Sequence, residues 1–346
     1  MMDGRDRRKR MKKKLASLMA VIVLVLTASS AALADGQIRI LPVDLSGGAP
    51  YKTTFRDNPN VIVDPAFRDD LFKSDFKKYP YSQYMSFYED PTIRVDMYTS
   101  RITNSEEYGM VYCFYAFVTI QSPYQLRTAA VDPVNFIRGL EAPGTEIVKR
   151  VNAVLAVNGD FCNTHTKGEG SKYCLRQGTV FRDTVVDFLD MLLIDEDGNF
   201  HVYQAGPELA TLNKTEIDGK KVINALQFGP ALVIDGENVP EDYILDRSHS
   251  PWSAEPDNHT ARMCIGQIDE LSYIVFTCWD GMNLKQLRDL VLSITPVKTL
   301  YVLDGGNSAQ MIFLKSQINR DDNANGNGRA IQDIIYFASA YFEDKE

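Results

Sequence analysis

Two acidic turns that contain glycine could place carboxylates and backbone amides around a ligand. One is Asn158-Gly159-Asp160, which follows the apolar run 153–157, and the other is Asp304-Gly305-Gly306-Asn307-Ser308, which follows the apolar run 300–303. Glycine lets a ligand approach the main chain, and a rigid strand before the turn fixes the direction of the neighbouring carboxylate. We expect both turns to share one cleft, with Asp160 and Asp304 as its catalytic carboxylates.

Each turn also has a plainer interpretation, because Asn, Asp and Gly are common turn residues whose side chains bond nearby backbone amides. The occurrence of one design after two apolar runs favours a shared site. Ser308 could act as a nucleophile only beside a base, and no Gly-x-Ser-x-Gly segment surrounds it. We therefore expect Ser308 to donate or accept hydrogen bonds.

The sequence gives little support for a metal site or a cofactor. The histidines lack the spacing of zinc ligands; they are His165, His201, His249 and His259. The segment 321–326 matches the first half of a calcium loop, but its twelfth position is Gln332, where a bidentate Glu is needed. We expect a solvated loop there, no bound metal, and a reaction without a cofactor.

The elements that must position these residues are mainly strands. Runs of branched and aromatic residues predict strands at 93–98, 109–120, 153–157, 191–194, 200–203, 231–234, 262–267, 271–277, 299–303 and 310–314. The segment 195–199, Asp-Glu-Asp-Gly-Asn, predicts a hairpin turn. Apolar residues at helical spacing predict an amphipathic helix between Asn283 and Pro296, and a shorter helix is expected at 147–151.

Strands outnumber helices, and tight turns rather than crossover helices join most neighbouring strands. This pattern predicts an α+β fold with mixed or antiparallel sheets and a few packed helices. Residues 86–342 are predicted to form a single domain. Residues 35–85 contain five prolines and are predicted to be an extended segment, with one short helix near 65–72.

Residues 1–34 have the pattern of a signal peptide. A basic stretch at 5–14 precedes the apolar run 15–28, and Ala32-Leu33-Ala34 supplies a cleavage site of small residues. The alternative is an uncleaved membrane anchor, since nothing charged stops the apolar run before residue 35. We expect a secreted or cell-envelope protein that contacts a membrane only if this anchor is retained.

The mature chain is strongly acidic. The full sequence has 37 basic and 46 acidic residues, and residues 1–34 hold eight of the former and two of the latter, so the remainder carries a net charge of −15. Such a surface repels nucleic acids and anionic lipids. An anionic substrate must therefore be held by a local group of cations.

Five cysteines remain, and export makes disulfides chemically accessible, although the odd number leaves at least one thiol. Cys162 and Cys174 bracket a short polar loop, whereas Cys264 and Cys278 lie in apolar runs that could be adjacent strands. Cys113 lies within the apolar run 111–120 and is expected to be a buried structural residue.

The order of six motifs resembles the phosphodiester glycosidase family, over roughly residues 86–341. The motifs are Asn158-Gly159-Asp160-Phe161, 178–183 (Gly-Thr-Val-Phe-Arg-Asp), 228–232 (Phe-Gly-Pro-Ala-Leu), 262–266, Asp280-Gly281 and 303–308 (Leu-Asp-Gly-Gly-Asn-Ser). The resemblance implies cleavage of a sugar from a phosphodiester, which releases free sugar and a phosphomonoester. It also implies a set of pocket-lining residues: Asn158, Asp160, Arg262, Asp304, Ser308 and Arg329. We add the remaining residues of the two turns as substrate-binding residues: Gly159, Gly305, Gly306 and Asn307.

The chemistry fits these residue types. Cleavage at an anomeric carbon passes through an oxocarbenium-like transition state, which a carboxylate can stabilise or attack. We assign Asp304 as nucleophile or base and Asp160 as its partner, with the two roles interchangeable, while Arg262 or Arg329 grips the phosphate. Two departures from the family pattern, Asn307 in place of a glycine and Cys162 in place of an aromatic residue, bear on the sugar accepted or on activity itself.

The sequence therefore predicts an exported hydrolase acting on a sugar phosphate or glycan, such as a cell-envelope polysaccharide. An alternative is a noncatalytic protein of the same fold that binds carbohydrate or envelope polymer. A further alternative is an ordinary phosphodiesterase, which attacks phosphorus instead of carbon.

Overall fold

The structure is a computed structural model that describes residues 62–64, 83–90, 92–105, 109–131, 140–151, 153–161, 172–246, 261–278, 282–319 and 329–339. The predicted signal peptide, the helix predicted near 65–72, and Cys162 lie outside these residues. Strands and helices are numbered below in chain order.

The largest sheet has nine strands, and all its pairs are antiparallel. Its spatial order is β1 (Ile62–Asp64), β2 (Gln83–Asp90), β3 (Ile93–Ser105), β4 (Gly109–Ile120), β16 (Ser272–Cys278), β15 (Arg262–Asp269), β17 (Thr299–Leu303), β13 (Ala231–Ile234) and β14 (Glu237–Asn238).

Two smaller antiparallel sheets complete the described part of the fold. One has the order β10 (Phe200–Tyr203), β9 (Asp190–Asp195), β12 (Lys220–Phe228), β7 (Cys174–Arg176) and β8 (Thr179–Arg182), with β11 (Glu216–Ile217) also paired to β12. The other has the order β19 (Ser316–Gln317), β18 (Met311–Phe313), β6 (Ala153–Asn158), β20 (Asp333–Ala338) and β5 (Leu126–Ala130).

Helices are few and short among the described residues. They are α1 (Gly144–Val148), α2 (Glu241–Ile244) and α3 (Leu284–Ile294), with 3-10 turns at Pro123–Gln125, Pro207–Ala210 and Gly306–Ser308. In the part of the chain that the structure describes, no helix is long and apolar enough to cross a membrane. The sheet-rich composition agrees with the predicted α+β class and shows that its sheets are antiparallel.

The main core forms where side chains from all three sheets pack together. The position of strand β6 between two apolar clusters explains why its sequence is apolar without alternation. Val154, Leu155 and Val157 pack into the main core, while Ala153 and Ala156 belong to a second cluster with α1. A strand that is buried on both faces must be apolar at every position. This burial fixes the direction in which the chain enters the turn after Asn158.

Several sequence predictions are confirmed. The strands at 109–120, 200–203, 231–234 and 299–303 have the predicted bounds, and the hairpin at 195–199 joins β9 to β10. Cys264 and Cys278 lie in adjacent strands, and Cys113 is buried. The helix predicted at 147–151 is displaced toward the N-terminus: it spans Gly144–Val148, with Pro143 as its N-cap, and overlaps the predicted range only at residues 147–148.

Some elements were not predicted. The sequence pattern predicts no strand at the positions of β5, β12 and β20. Strand β2 begins at Gln83 and therefore crosses the predicted start of the domain at residue 86. Strands β2, β5 and β12 mix polar residues with apolar ones, whereas β20 is apolar after Asp333. Strands β5 and β20 pair with each other although they are distant in sequence. Tertiary pairing therefore outweighs local pattern in these segments.

Helix α3 begins with a side-chain cap, and the residue before the cap contacts Arg262. Asn283 accepts a hydrogen bond from the backbone amide of Gln286 at 2.8 Å, and the Gln286 side chain accepts one from the amide of Asn283 at 3.0 Å. This reciprocal capping box satisfies two amides at the helix start. The preceding carbonyl, that of Met282, accepts a hydrogen bond from Nε of Arg262 at 3.1 Å.

We predict that Asn283→Ala lowers the free energy of unfolding by about 1 kcal/mol, because the cap is lost. Asn283→Ser should retain most of the stability, since serine is also a good N-cap. Urea denaturation of the two variants and the parent protein measures the difference. Equal stabilities of the alanine and serine variants would contradict this account of the helix start.

Candidate active site

The two acidic turns predicted from the sequence meet in space. Asn158, the last residue of β6, donates a hydrogen bond from Nδ2 to the backbone carbonyl of Asp304 at 2.7 Å. Its Oδ1 accepts a hydrogen bond from the amide of Gln310 at 3.1 Å. Asn158 is buried and therefore acts as a clamp between the ends of β6 and β17, which belong to different sheets.

A cleft with room for a ligand opens beside this clamp. The volume of the cleft is about 260 Å³. Aromatic, cationic and acidic side chains and a glycine-containing turn line it: Phe161, Phe228, Arg262, Val302, Leu303, Asp304, Gly305, Gly306, Asn307 and Arg329. We call this space the large hollow. It brings together six of the ten residues predicted for the site.

A second, much smaller space adjoins the first. Its volume is about 10 Å³, and we call it the small hollow. It shares Phe161, Asp304 and Arg329 with the large hollow, and its other lining residues are Glu141, Asn158, Gly159, Ser308, Ala330, Ile331, Gln332 and Asp333. The two hollows therefore meet at Asp304.

Asp304 is the acidic side chain that lines both hollows. Burial raises the pKa of this carboxyl above its ordinary value, while a side-chain hydrogen bond with Ser308 and the charges of Lys172 and Arg329 act in the opposite direction. A carboxylate in such a place can stabilise a developing positive charge or exchange a proton with a neighbouring group. The Ser308 contact also agrees with the hydrogen-bonding role predicted for that residue.

Asp160 lies elsewhere than the sequence led us to expect. Its carboxylate is fully buried and lines neither hollow. Oδ1 accepts a hydrogen bond from Nη2 of Arg176 at 2.7 Å, and Oδ2 accepts one from the amide of Gln227 at 2.7 Å. The expectation that Asp160 and Asp304 face one hollow is therefore wrong for Asp160, because Arg176 and a backbone amide hold its charge inside the protein.

The buried Arg176 joins Asp160 to a third acid, Asp333, at the start of β20. Nε of Arg176 lies 3.1 Å from Oδ2 of Asp333. Burial raises the pKa of Asp333 to about 6, as does the negative charge of Asp160, while Arg176 opposes both. Asp333 also lines the small hollow. It is thus a titratable acid at the site that the sequence analysis did not select.

The two arginines of the large hollow differ in exposure. Arg262 is only 2% exposed, and burial lowers its pKa from the ordinary value. Arg329 is exposed, and its guanidinium carbon lies 5.8 Å from the centre of the Phe161 ring. Arg262 therefore presents a fixed cation in the wall of the hollow, and Arg329 presents a second cation at its exposed side.

Two glycines permit close approaches that define the site. A Cβ atom on Gly305 would lie 2.6 Å from the backbone carbonyl oxygen of Ala261, beside Arg262, and one on Gly159 would overlap the Asp333 carboxylate. Neither approach tolerates a side chain without a shift. Gly306 has a positive φ of 56°, and Asn307 is exposed on the turn.

Lys172 is a further site residue that sequence reasoning missed. It is 4% exposed, and its Nζ donates a hydrogen bond to the backbone carbonyl of Asp160. Nζ also lies 5.0 Å from the centre of the Phe228 ring and 5.7 Å from that of Phe161. Phe161 adopts a positive φ of 55°, which is uncommon for a bulky residue and marks a constrained position. Lys172 thus supports both aromatic walls of the large hollow.

Among the described residues, no group of three or more His, Cys, Asp or Glu side chains could hold a metal ion. His201 pairs with Asp195 at 2.9 Å, and Gln332 donates a hydrogen bond to Glu141. The calcium-like segment 321–326 and the other three histidines lie outside the described residues.

We predict that Arg176→Met lowers the free energy of unfolding by roughly 3–5 kcal/mol, because it leaves two buried carboxylates without their cation. Arg94→Met is the matched control. Arg94 pairs with Glu89 and Asp96 at the surface and is 46% exposed, so its loss should cost at most about 1 kcal/mol. Denaturant titration of both variants measures the two costs, and similar values would refute a structural role for the buried pair.

Known proteins resemble the part of the chain that contains these site residues. A model of the phosphodiester glycosidase family matches residues 151–338, whereas a search of curated protein sequences finds no match. Among solved structures, the chain is similar to the catalytic domain of zebrafish N-acetylglucosamine-1-phosphodiester alpha-N-acetylglucosaminidase, auto-inhibited by its pro-peptide. The TM-score is 0.58 at 16% identity, and the match covers 80% of this chain and 95% of that chain.

Two further structures are more distant. A protein from Synechocystis matches with a TM-score of 0.48 at 11% identity, over 73% of this chain and 63% of that chain. A protein from Burkholderia pseudomallei matches with a TM-score of 0.48 at 10% identity, over 80% of this chain and 99% of that chain. The family model spans more than half of the chain and includes both acidic turns, Arg262, Arg329 and Asp333. The resemblance inferred from the motifs is thus confirmed, and the chain belongs to the phosphodiester glycosidase family.

Proposed function

We propose that this protein is an exported glycosidase that hydrolyses sugar-1-phosphodiesters to free sugar and a phosphomonoester. Family membership supports phosphodiester glycosidase activity in general. The observation that carries the proposal is the position of Asp304, which borders a hollow with two arginines and two aromatic rings. That combination suits a substrate with a sugar at one end and an anionic phosphate beside the bond that breaks.

The arginines are suited to the phosphate. A guanidinium can donate two parallel hydrogen bonds to phosphate oxygens, and such charge-assisted bonds strengthen in a site shielded from water. Arg262 is held by the Met282 carbonyl and supplies a fixed contact, whereas the exposed Arg329 can adjust to the incoming ligand. As the bond to the sugar breaks, negative charge grows on the phosphate oxygen, and both cations stabilise it.

The acidic group is suited to the sugar. Positive charge develops at the anomeric carbon in the transition state, and the nearby carboxylate of Asp304 stabilises it. Phe161 and Phe228 provide apolar ring surfaces against which the carbon–hydrogen face of a sugar can pack. The backbone of Gly305 to Asn307 lines the large hollow, and we assign its polar groups to direct substrate contact. Asn158 and Ser308 line the adjoining small hollow and border the substrate from there.

Asp160 has a supporting role in this proposal. Its carboxylate holds Arg176 and the Gln227 amide, and the neighbouring residue Phe228 lines the large hollow. Asp160 therefore acts as a positioning residue instead of the catalytic partner of Asp304. Asp333, which shares Arg176 with it, is the better placed second acid because it lines the small hollow.

We further propose that the catalytic domain, predicted at residues 86–342, begins with strand β2 at Gln83 and that residues 1–34 direct export. The basic and apolar pattern at the N-terminus supports export, and the acidic mature chain suits a secreted enzyme. A cell-envelope polysaccharide that contains sugar-1-phosphodiester links is a substrate consistent with that location. The segment between the two regions, predicted at residues 35–85, therefore ends before Gln83.

We predict that purified protein releases reducing sugar from at least one member of a panel of sugar-1-phosphodiesters, and that Asp304→Asn lowers kcat/KM at least about 100-fold, since one electrostatic contact to the transition state contributes roughly 10²–10³. Asp269→Asn, at an exposed ion pair with Lys298, should retain parent activity. Hydrolysis in oxygen-18 water should place the label in the sugar. Label in the phosphate would show attack at phosphorus, and binding without turnover would show a noncatalytic protein.

We predict that Arg262→Met lowers kcat/KM for the phosphodiester by roughly 10- to 100-fold, which corresponds to loss of a hydrogen bond to a charged group. The same variant should lose much less activity on a glycoside of the same sugar with an uncharged leaving group. The ratio of the two substrates in parent and variant isolates the phosphate contact. An equal loss on both substrates would remove Arg262 from phosphate binding.

A further inference from the structure

The small hollow has the size and lining of a binding site for one water molecule. About 10 Å³ for the centre of a water-sized sphere corresponds to a single water, provided that polar partners surround it. Asn158, Ser308, Asp304 and Asp333 supply amide, hydroxyl and carboxylate groups to its lining. The space is too small for a sugar ring, so a substrate must occupy the large hollow.

The small hollow adjoins the place where we put the substrate. Asp304, Phe161 and Arg329 line both spaces, so a sugar in the large hollow lies next to the small one. Asp333, in contrast, lines the small hollow but not the large one. Asp304 is therefore shared by substrate and water, whereas Asp333 can reach only the water.

Asp333 is held in a fixed orientation. Its Oδ2 accepts a hydrogen bond from Nε of Arg176, and its backbone amide group belongs to β20. The carboxylate packs directly over Gly159, whose missing side chain leaves the space for it. The group is 2% exposed, so its charge acts in a site shielded from bulk water.

We propose that the small hollow holds the attacking water, that Asp333 is its general base, and that the enzyme inverts the anomeric configuration of the sugar. This inference rests on the proposed function and deepens it. Inverting glycosidases need room for a water between the base and the sugar, whereas in retaining glycosidases the second carboxylate itself attacks the sugar. A prepared seat for water beside a second acid matches the former.

The water oxygen forms a bond to the anomeric carbon, and its proton passes to the Asp333 carboxylate. The bond between that carbon and the phosphate oxygen breaks, and its electron pair leaves with the phosphate, which Arg262 and Arg329 stabilise. Asp304 stabilises the positive charge on the sugar and forms no covalent bond. Since the phosphate is already a good leaving group, no acid is needed to protonate it.

The charges around Asp333 set the pH range in which it can act. Arg176 and Lys172 lower its pKa, while burial and Asp160 raise it, and the result is about 6. Across the small hollow lie Asp304, Glu141 and Arg329. A base must be ionised, so kcat/KM should fall about tenfold for each pH unit below 6 and level off above 7.

The configuration of the first-formed sugar tests the inference directly. Proton NMR at early times, before the free sugar equilibrates, should show the β-anomer from an α-linked sugar-1-phosphodiester. The α-anomer as first product would overturn the inference while leaving the proposed function intact. Absence of turnover on every phosphodiester would refute the proposed function itself, so the two failures are distinguishable.

A variant identifies the base. Asp333→Ala should lower kcat/KM at least about 100-fold, and added azide should restore turnover by forming a glycosyl azide of inverted configuration, because a small anion can take the place of the water without losing a proton. Asp269→Ala with azide is the matched control and should form no such product. A folded Asp333→Ala protein with parent activity would overturn the assignment. So would a glycosyl azide of retained configuration.

Discussion

Arg176 is the cation on which the arrangement of this site depends. It is buried, its Nη2 bonds Asp160, its Nε bonds Asp333, and it also donates to the backbone carbonyls of Leu175 and Ala225. Two carboxyl groups this close together inside the protein would repel each other when ionised, and the positive charge of Arg176 opposes that repulsion. Because Asp160 follows β6, Asp333 begins β20 and Arg176 ends β7, one side chain ties two sheets together behind the cleft.

The buried charges place the reactive groups without taking part in substrate contact. Asp160 fixes the Gln227 amide and, through its own carbonyl, Lys172, which in turn supports the rings of Phe161 and Phe228. The hydrogen bond from Asn158 to the Asp304 carbonyl connects the third sheet, because Asp304 directly follows β17 of the nine-stranded sheet. The cleft is therefore assembled by polar contacts between sheets, whereas the hydrophobic core beneath it supplies the stability. This division explains how the cleft can hold Asp304 and Arg262 in fixed positions.

The sequence revealed most of the strands near the site and about half of its chemistry. The apolar runs that become β6 and β17 are unmistakable, because both faces of each strand are buried, and the glycine turns after them mark Asn158 and Asp304. The role of Asp160 could not be read in the same way, since turn sequence does not tell whether a carboxylate points outward or into an ion pair. Asp333 and Lys172 carry no local signal. They become site residues only through β20 and the segment before β7, whose positions depend on pairing between distant parts of the chain.

The central claim is that one substrate spans the large hollow, with its phosphate at the two arginines and its anomeric carbon beside Asp304. A crystal structure of the Asp304→Asn protein with an intact sugar-1-phosphodiester tests it most directly. The account predicts phosphate oxygens within hydrogen-bonding distance of Arg262 and Arg329, the anomeric carbon next to residue 304, and one ordered water in contact with Asp333. A substrate bound outside the large hollow, or reversed so that its sugar contacts the arginines, would contradict it.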